Sequence, residues 1–418
     1  MNKKKEILVL GFALFSMFFG AGNLLFPPSV GVSVGQSWLQ AGLGFFLTGI
    51  GLPLLGILAF TKVGNLDEFA NKVSEKFNVL YSTILILVIG PLFAIPRTGS
   101  TTFEMGVLPM LPGFNPTILA VLTAALFFGL TLFLVLNESS ITDILGKFLT
   151  PIILVILLLI TVLGFTSNLG TPVPSVIKGS QFSYGFISGY QTMDALASVL
   201  FGVIIIRGLE GKGIKDINEQ KTFLSGAGVI AAIGLGFIYL SLIYLGAQIS
   251  SMKGLSTAQT TLTLAELTLG GAGKVAFGIC VAAACLTTSV GLVALASDWF
   301  SKITRFSYKT IAIVICLFSG VLSVAGLDSI IGFAVPVLII LYPITIVLIL
   351  LNIFGIKNHI SFKLTVAVTL FISFAELFKV NLSFIPLANQ GFAWVIPAII
   401  AFGISLFIKE NNVIATNA

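Results

Sequence analysis

Charged residues are scarce in this sequence: Asp, Glu, Lys and Arg make up 9% of its 418 residues, against roughly 25% in an ordinary soluble chain. The single histidine, His359, lies between predicted spans, so no histidine proton relay is available within them. Cys280, Cys285 and Cys316 have neither metal-ligand spacing nor an obvious disulfide partner, and we interpret them as apolar packing residues. No pair of histidines or carboxylates at catalytic spacing occurs in a span, which argues against a membrane-embedded enzyme.

Hydrophobic residues make up 57% of the chain, and they are grouped in runs long enough to cross a bilayer, which takes about 20 apolar residues. The sequence therefore predicts an all-α polytopic membrane protein in the lipid bilayer. A further helix over 256–269 is too short and too polar to span, and we expect it in the loop before the eighth span. The twelve predicted spans are 6–33, 38–61, 77–104, 116–137, 141–166, 180–207, 220–248, 272–300, 308–325, 328–352, 361–378 and 389–408.

The basic residues follow the membrane topology. With the N-terminus in the cytoplasm, 17 of the 22 Lys and Arg lie on the inner side. Only Lys178, Lys253, Lys274 and Lys379 lie outside, and Arg97 lies within the third span. This positive-inside bias places both termini in the cytoplasm and the protein in the cell membrane. The net charge of +6 is thereby explained without a nucleic-acid partner.

Two spans contain an irregular stretch near their middle. The first contains FFGAGNLLFPP at 18–28, and the sixth contains SGYQTMDALAS at 188–198. Each stretch lies about half a helix into a set of five spans, and because five is odd, the second set must run through the membrane in the opposite sense. Inverted repeats with matching broken helices indicate a secondary transporter with a site near the bilayer midplane. The alternative is that these glycines only allow close helix packing.

The domain organisation follows from this symmetry. We predict one transmembrane domain over 1–418, with a first repeat over about 6–166, a second over about 180–352, and extra helices over about 361–408.

A helix broken within the membrane exposes amides at the start of one half and carbonyls at the end of the other. These ends suit the carboxylate and the ammonium of a zwitterionic amino acid. Gly20 and Gly22 would let the backbone leave helical geometry, and Asn23 would donate to a carboxylate. The apolar lining favours an aliphatic or aromatic side chain. The predicted substrate-binding residues are Gly20, Ala21, Gly22, Asn23, Arg97, Gln191, Thr192 and Asp194.

The eighth span contains three consecutive hydroxyl residues in ACLTTSVG at 284–291. Such hydroxyls usually bond to the carbonyl one turn back. Combined with carbonyls freed by a broken helix, they would also provide the oxygen ligands that a sodium ion needs. Both interpretations remain open from the residues alone.

At these motifs the sequence resembles the branched-chain amino acid:cation symporters, the LIVCS family of BrnQ-like carriers, which belong to the amino acid transporters of LeuT-type fold. The resemblance rests on LGFALFSMFFGAGNLLFPPSVG, IPRTGSTTFEMG, GYQTMDALASVLFG and ASDWF, and it covers essentially the whole chain. It implies import of leucine, isoleucine and valine, coupled to sodium or to protons, with no other cofactor. It also implies sodium ligands in carbonyls of Ser16, Phe19 and Ala284 and hydroxyls of Thr287 and Thr288. The gate arginine of the sodium:neurotransmitter symporters is absent, since Phe26 and Pro27 stand after the break.

Ionisable residues within spans are functional candidates because inserting one costs about 2.5–3.5 kcal/mol. Arg97 and Glu104 lie on nearly the same face of the third span, and Asp194 lies in the sixth-span break. Arg97 therefore has two interpretations: an ion pair with one of these carboxylates, or a role in the pocket or its gate. Three alternatives to the sodium-driven symporter remain, namely a proton-coupled carrier, a carrier of another small neutral amino acid, and a channel.

Overall fold

The computed structural model describes residues 3–63, 66–137, 141–211 and 213–408, and every regular element among them is helical. Lys212 and Lys409, two of the lysines assigned to the inner side, lie outside these residues. The α-helices are α1 Lys3–Phe18, α2 Ala21–Val34, α3 Trp38–Phe46, α4 Leu52–Val63, α5 Leu66–Phe69, α6 Glu75–Leu87, α7 Ala94–Thr101, α8 Pro116–Leu136, α9 Ile141–Thr166, α10 Gln181–Gly189, α11 Asp194–Gly211, α12 Ile217–Gln248, α13 Thr257–Ile303, α14 Tyr308–Ser323, α15 Leu327–Ile353, α16 His359–Leu377 and α17 Val395–Phe407.

The helices have the length and composition of membrane spans. Seven continuous helical stretches in the described part of the chain are long and apolar enough to cross a membrane, and 152–166, 308–323 and 395–407 are shorter apolar helices. The helix expected over 256–269 is present as the start of α13, and Gly270, with φ +74°, separates it from the long remainder. The predicted twelfth span begins later than expected, at Val395 instead of 389.

The chain forms two compact units. The first contains 1–51, 85–194 and 226–335, and the second contains 52–84, 195–225 and 336–418. The predicted inverted repeats are a different division of the chain and stay a prediction.

In the first unit, the first half of the sixth span, α10, packs closely on α3. A Cβ added to Gly185 would fall on the carbonyl oxygen of Ala41, so glycine is required at this crossing. The Thr48 hydroxyl donates to the carbonyl of Phe186 at 2.8 Å. Small residues at such a crossing allow the two backbones to approach. This packing holds α10 against α3 just before the sixth-span break.

The predicted break in the first span is confirmed, and it lies at Phe19 and Gly20. α1 ends at Phe18, Gly20 is extended with φ −111° and ψ −174°, and α2 begins at Ala21. The expectation that Gly22 also leaves helical geometry is wrong, because Gly22 lies in the first turn of α2. Its lack of a side chain serves a close contact with Arg97, described below.

The prolines of FFGAGNLLFPP lie inside α2 and not in the break. Proline has no amide hydrogen, so Pro28 cannot donate to the carbonyl one turn earlier, that of Leu24. The hydroxyl of Thr261, in the first part of α13, donates to this carbonyl at 3.4 Å. A neighbouring helix thus compensates for the proline.

The predicted break in the sixth span is also confirmed. α10 ends at Gly189, 190–192 form one tight turn, Met193 is left-handed with φ +61°, and α11 begins at Asp194. Thr192 stabilises this turn on both sides. Its hydroxyl donates to the carbonyl of Gly189 at 2.9 Å and accepts from the amide of Asp194 at 3.3 Å.

The third span, expected as one helix over 77–104, is interrupted. The chain forms a wide π-helical turn over 88–92, where Gly90 leaves helical geometry at φ −103° and ψ −123°. Pro91 follows and cannot donate to the preceding turn. After this break the short helix α7 is buried along its whole length. The break therefore starts a new helix immediately before Arg97.

In the second unit, two lysines contact backbone carbonyls at and just beyond the C-terminal end of α15. The Lys62 ammonium donates to the carbonyl of Ile353, and the Lys72 ammonium donates to that of Ile356 at 3.1 Å. Cations are favourable near a helix C-terminus, where carbonyls lack amide partners. Burial lowers the pKa of Lys72 from its usual value. The Lys62 contact lies at the last residue of α15, and the Lys72 contact lies three residues beyond it.

Candidate functional site

The structure brings the two predicted breaks together within the first unit. Asn23 lies in the first turn of α2, and Asp194 is the first residue of α11. Nδ2 of Asn23 donates to Oδ2 of Asp194 at 2.5 Å, and the two side chains are 1% and 6% exposed. This bond joins residues 171 positions apart in the chain. A buried bond to a charged acceptor is worth roughly 1.5–3 kcal/mol, so it holds the two breaks at a fixed separation.

A third helix contributes to this contact. The same nitrogen of Asn23 donates to the hydroxyl of Tyr239, in the middle of α12. Tyr239 is fully buried, and the ring of Phe45 packs edge-on against it with 5.6 Å between ring centroids. Sequence reasoning missed this residue. The only signal was a mostly apolar stretch, GFIYLSLIYLG, that contains two tyrosines and one serine.

Arg97 contacts both breaks from the third span. Its Nη1 donates to the carbonyl of Gln191 at 2.6 Å, and its guanidinium carbon lies 5.3 Å from the ring centroid of Phe26 in α2. A Cβ added to Gly22 would lie 3.0 Å from Nη2 of Arg97. The guanidinium also interacts electrostatically with the Asp194 carboxylate. The positive charge is therefore placed beside the N-terminus of α2, and it neutralises the exposed carbonyl end of the sixth span's first half.

Glu104, the other suggested partner of Arg97, lies at a different contact. Its Oε1 accepts from the backbone amide of Leu327, the first residue of α15, at 2.8 Å. A carboxylate at this position satisfies an amide that has no partner within its own helix, and it is favoured by the positive end of the helix dipole. The structure thus gives Glu104 a capping contact with α15.

One acceptor at the sixth-span break is unoccupied. Gln191 is 7% exposed, and its side-chain oxygen Oε1 is buried without a hydrogen-bond partner among the described residues. A buried polar atom without a partner costs about 1–3 kcal/mol. Such an atom beside two broken helices is suited to accept a hydrogen bond from a ligand.

The site therefore has two electrostatic sides. The first amides of α2, those of Ala21 and Gly22, have no partner within their own helix, and with the Arg97 guanidinium they form a positive side. The Asp194 carboxylate and the oxygen of Gln191 form an acceptor side. Gly20 provides the turn between α1 and α2, and Thr192 holds the turn before Asp194, so both act through the backbone.

Among the predicted sodium ligands, Thr287 and Ala284 contact each other. The Thr287 hydroxyl donates to the carbonyl of Ala284 at 2.9 Å, which is the bond to the preceding turn that hydroxyls in helices commonly make. Its oxygen keeps lone pairs for a cation. Thr288 is half-buried, and the ring of Phe19 stacks on that of Phe15. The set of Ser16, Phe19, Ala284, Thr287 and Thr288 stays a prediction.

The most buried hydroxyl of ACLTTSVG is Ser289, which the sequence did not single out. It is 0% exposed, and the hydroxyl of Thr131 in α8 donates to it at 3.5 Å. Ser289 therefore faces the fourth span, on the packed side of α13.

The fold of this chain is similar to that of solved transporter structures. The chain is similar in fold to Mhp1 in an inward-facing conformation, with a TM-score of 0.66 at 12% identity, covering 96% of this chain and 90% of Mhp1. It is also similar to MhsT solved in complex with L-phenylalanine, with a TM-score of 0.55 at 18% identity, covering 96% and 98%. The helical fold with interrupted first and sixth spans is that of a LeuT-type transporter.

Sequence comparison then identifies the family. The family model described as branched-chain amino acid transport protein matches residues 3–412. The branched-chain amino acid permease BraB of Bacillus subtilis is 37% identical over 98% of this chain and 97% of its own length. A putative branched-chain amino acid carrier protein of Staphylococcus saprophyticus is 38% identical over 98% of both chains. The protein belongs to this branched-chain amino acid transport family, and it is a multi-pass membrane transporter, not an enzyme.

Proposed function

We propose that the protein is a secondary active symporter that imports leucine, isoleucine and valine across the cytoplasmic membrane by alternating access, driven by a sodium gradient. Family membership supports the substrate class. The observation that carries the proposal is the buried bond from Asn23 to Asp194, which joins the two broken helices beside the Arg97 guanidinium. Both termini lie in the cytoplasm in this proposal.

The head group of the substrate lies between the two sides of the site. Its carboxylate binds the amides at the start of α2 beside the positively charged guanidinium of Arg97. Its ammonium binds Asp194 and the free oxygen of Gln191. In this orientation the carboxylate of the substrate lies at the N-terminus of α2. The carbonyl of Gln191 does not bind the ammonium, because it already accepts from the Arg97 guanidinium.

The side chain of the substrate meets an apolar environment. The residues around the first break are almost all apolar, in the run Leu24, Leu25 and Phe26 after it and Phe18 and Phe19 before it. An apolar lining discriminates against polar side chains because their hydrogen bonds to water would be lost. Branched aliphatic side chains fit this requirement.

Sodium coupling is the part of the proposal that rests on the hydroxyls of Thr287 and Thr288 with carbonyls of the first break. Hydroxyl and carbonyl oxygens suit a hard cation. The alternative is proton coupling, with the proton carried by Asp194, by Glu104 or by Glu376 in the last turn of α16. Asp194 is favoured among these three because it lies at the breaks.

The test is uptake of radiolabelled leucine into proteoliposomes under an imposed sodium gradient, and separately under an imposed proton gradient. Uptake that requires sodium and persists when a protonophore is added supports the proposal. Uptake that follows the pH gradient and ignores sodium contradicts sodium coupling and leaves the carrier function intact. Isoleucine and valine should compete with leucine. Leucinol, which lacks the carboxylate, and 4-methylpentanoate, which lacks the ammonium, should not.

The same vesicles distinguish a carrier from a channel. Unlabelled leucine inside the vesicle should accelerate influx of labelled leucine through a carrier, because the loaded site returns faster than the empty one. An open pore shows no such acceleration, and that result would contradict alternating access.

A further inference from the structure

The amide of Asn23 is held by two acceptors at once. A primary amide nitrogen carries two hydrogens, and an ionised carboxylate only accepts. One hydrogen of Asn23 Nδ2 goes to Asp194 and the other to the hydroxyl of Tyr239. The two bonds fix the amide with its nitrogen toward the carboxylate and its oxygen turned away.

The position of the Tyr239 hydroxyl is itself fixed by packing. Tyr239 is 1% exposed, and its ring meets that of Phe45 at 88°. A Cβ added to Gly49 would lie 3.6 Å from the tyrosine ring, so this side of the ring is also packed. A tyrosine has only two side-chain torsions, so a fixed ring gives a fixed hydroxyl oxygen.

We propose that Tyr239 is a positioning residue for substrate binding, which acts by orienting the amide of Asn23 toward Asp194. If the hydroxyl were removed, one buried amide hydrogen would lose its acceptor. The amide would then keep only its bond to Asp194, about which it could rotate, so two bonds would no longer fix its position relative to the carboxylate. This inference rests on the proposed function, because the orientation matters for transport only if the substrate head group lies between the breaks.

The first test is Tyr239→Phe, which removes only the hydroxyl oxygen. We expect the leucine KM in proteoliposomes at saturating sodium to rise about fivefold. This is the change in affinity that corresponds to the loss of one typical hydrogen bond. The maximal rate per inserted protein should stay near that of the parent. The matched control is Tyr81→Phe, because Tyr81 is a buried tyrosine whose hydroxyl bonds to Thr345 at 2.8 Å in the second unit. Its KM should equal that of the parent.

The second test is a double-mutant cycle with Asn23→Ser, measured by leucine binding to purified protein. If Tyr239 acts through Asn23, Tyr239→Phe should weaken leucine binding in the parent and have little further effect in the Asn23→Ser background. An unchanged KM in Tyr239→Phe overturns the proposal. So does an equal loss in both backgrounds, or an equal rise in KM in Tyr81→Phe. A parent protein that does not transport leucine contradicts the proposed function instead.

Discussion

Gly22 is the position where a single added group should disturb the site most directly. A Cβ there would lie 3.0 Å from Nη2 of Arg97 and 3.2 Å from Cε2 of Phe26, whereas ordinary contacts begin at 3.4 Å. Alanine therefore requires the guanidinium to move by about 0.4 Å, the difference between the first distance and the ordinary one. Valine adds two methyl groups that extend about 1.5 Å further. The guanidinium then cannot keep its bond to the carbonyl of Gln191.

The size of the effect follows from that bond. A hydrogen bond to a charged group contributes about 1.5–3 kcal/mol, which corresponds to about a ten- to hundredfold change in affinity. We expect Gly22→Val to raise the leucine KM at least tenfold, or to abolish measurable uptake, while Gly22→Ala has an intermediate effect. Leucine uptake in proteoliposomes, normalised to inserted protein, measures both.

The control for this prediction is Gly129→Val. Gly129 lies in the apolar helix α8, and a Cβ added to it would meet nothing within 4 Å. This variant makes the same chemical change in a membrane span without crowding a neighbour, and it should transport normally. A well-inserted Gly22→Val protein with the parent's KM would refute the placement of Arg97 against the first break.

Two further predictions concern the charge and the coupling ion. Asp194→Asn keeps the size and an acceptor but removes the charge, so the leucine KM should rise about tenfold or more; unchanged affinity and rate would reduce Asp194 to a packing role. Thr287→Ala and Thr288→Ala should each shift sodium activation of uptake to higher concentration, with leucine affinity partly recovered at high sodium because ion and substrate stabilise the same state. Ser301→Ala, at a half-buried position in the last turn of α13, is the control, and a parent-like sodium dependence in both threonine variants would exclude them as ligands.

The breaks and the family were predictable from the sequence because their signals are local. GAGN and GYQTMD each place flexible or polar residues inside an apolar run, and this pattern is visible without knowing what packs nearby. The break in the third span had a comparable signal in Gly90 and Pro91 and was missed. Gly90 and Pro91 are themselves a local signal for a break, although we expected one regular helix over 77–104.

The contacts of the site were not predictable in the same way. The sequence offered Arg97 either an ion pair or a role in the pocket, but it could not show the bond to the carbonyl of Gln191, because any residue type at 191 would offer that carbonyl. Ser289 and Thr287 are two positions apart, so they lie on different sides of one helix. Which of these sides is packed depends on the neighbouring helices.

The sequence by itself determined that this chain is a membrane protein, where its helices break, and which family it belongs to, because hydrophobic length and backbone-breaking residues act within a few neighbouring positions. Only the tertiary structure decided that Asn23 meets both Asp194 and Tyr239, which are 171 and 216 residues away. It also decided that Arg97 lies against Gly22. Hydrogen bonds between buried groups depend on which helices pack together, and that packing is the sum of many weak contacts along whole helices, so no short stretch of sequence specifies it.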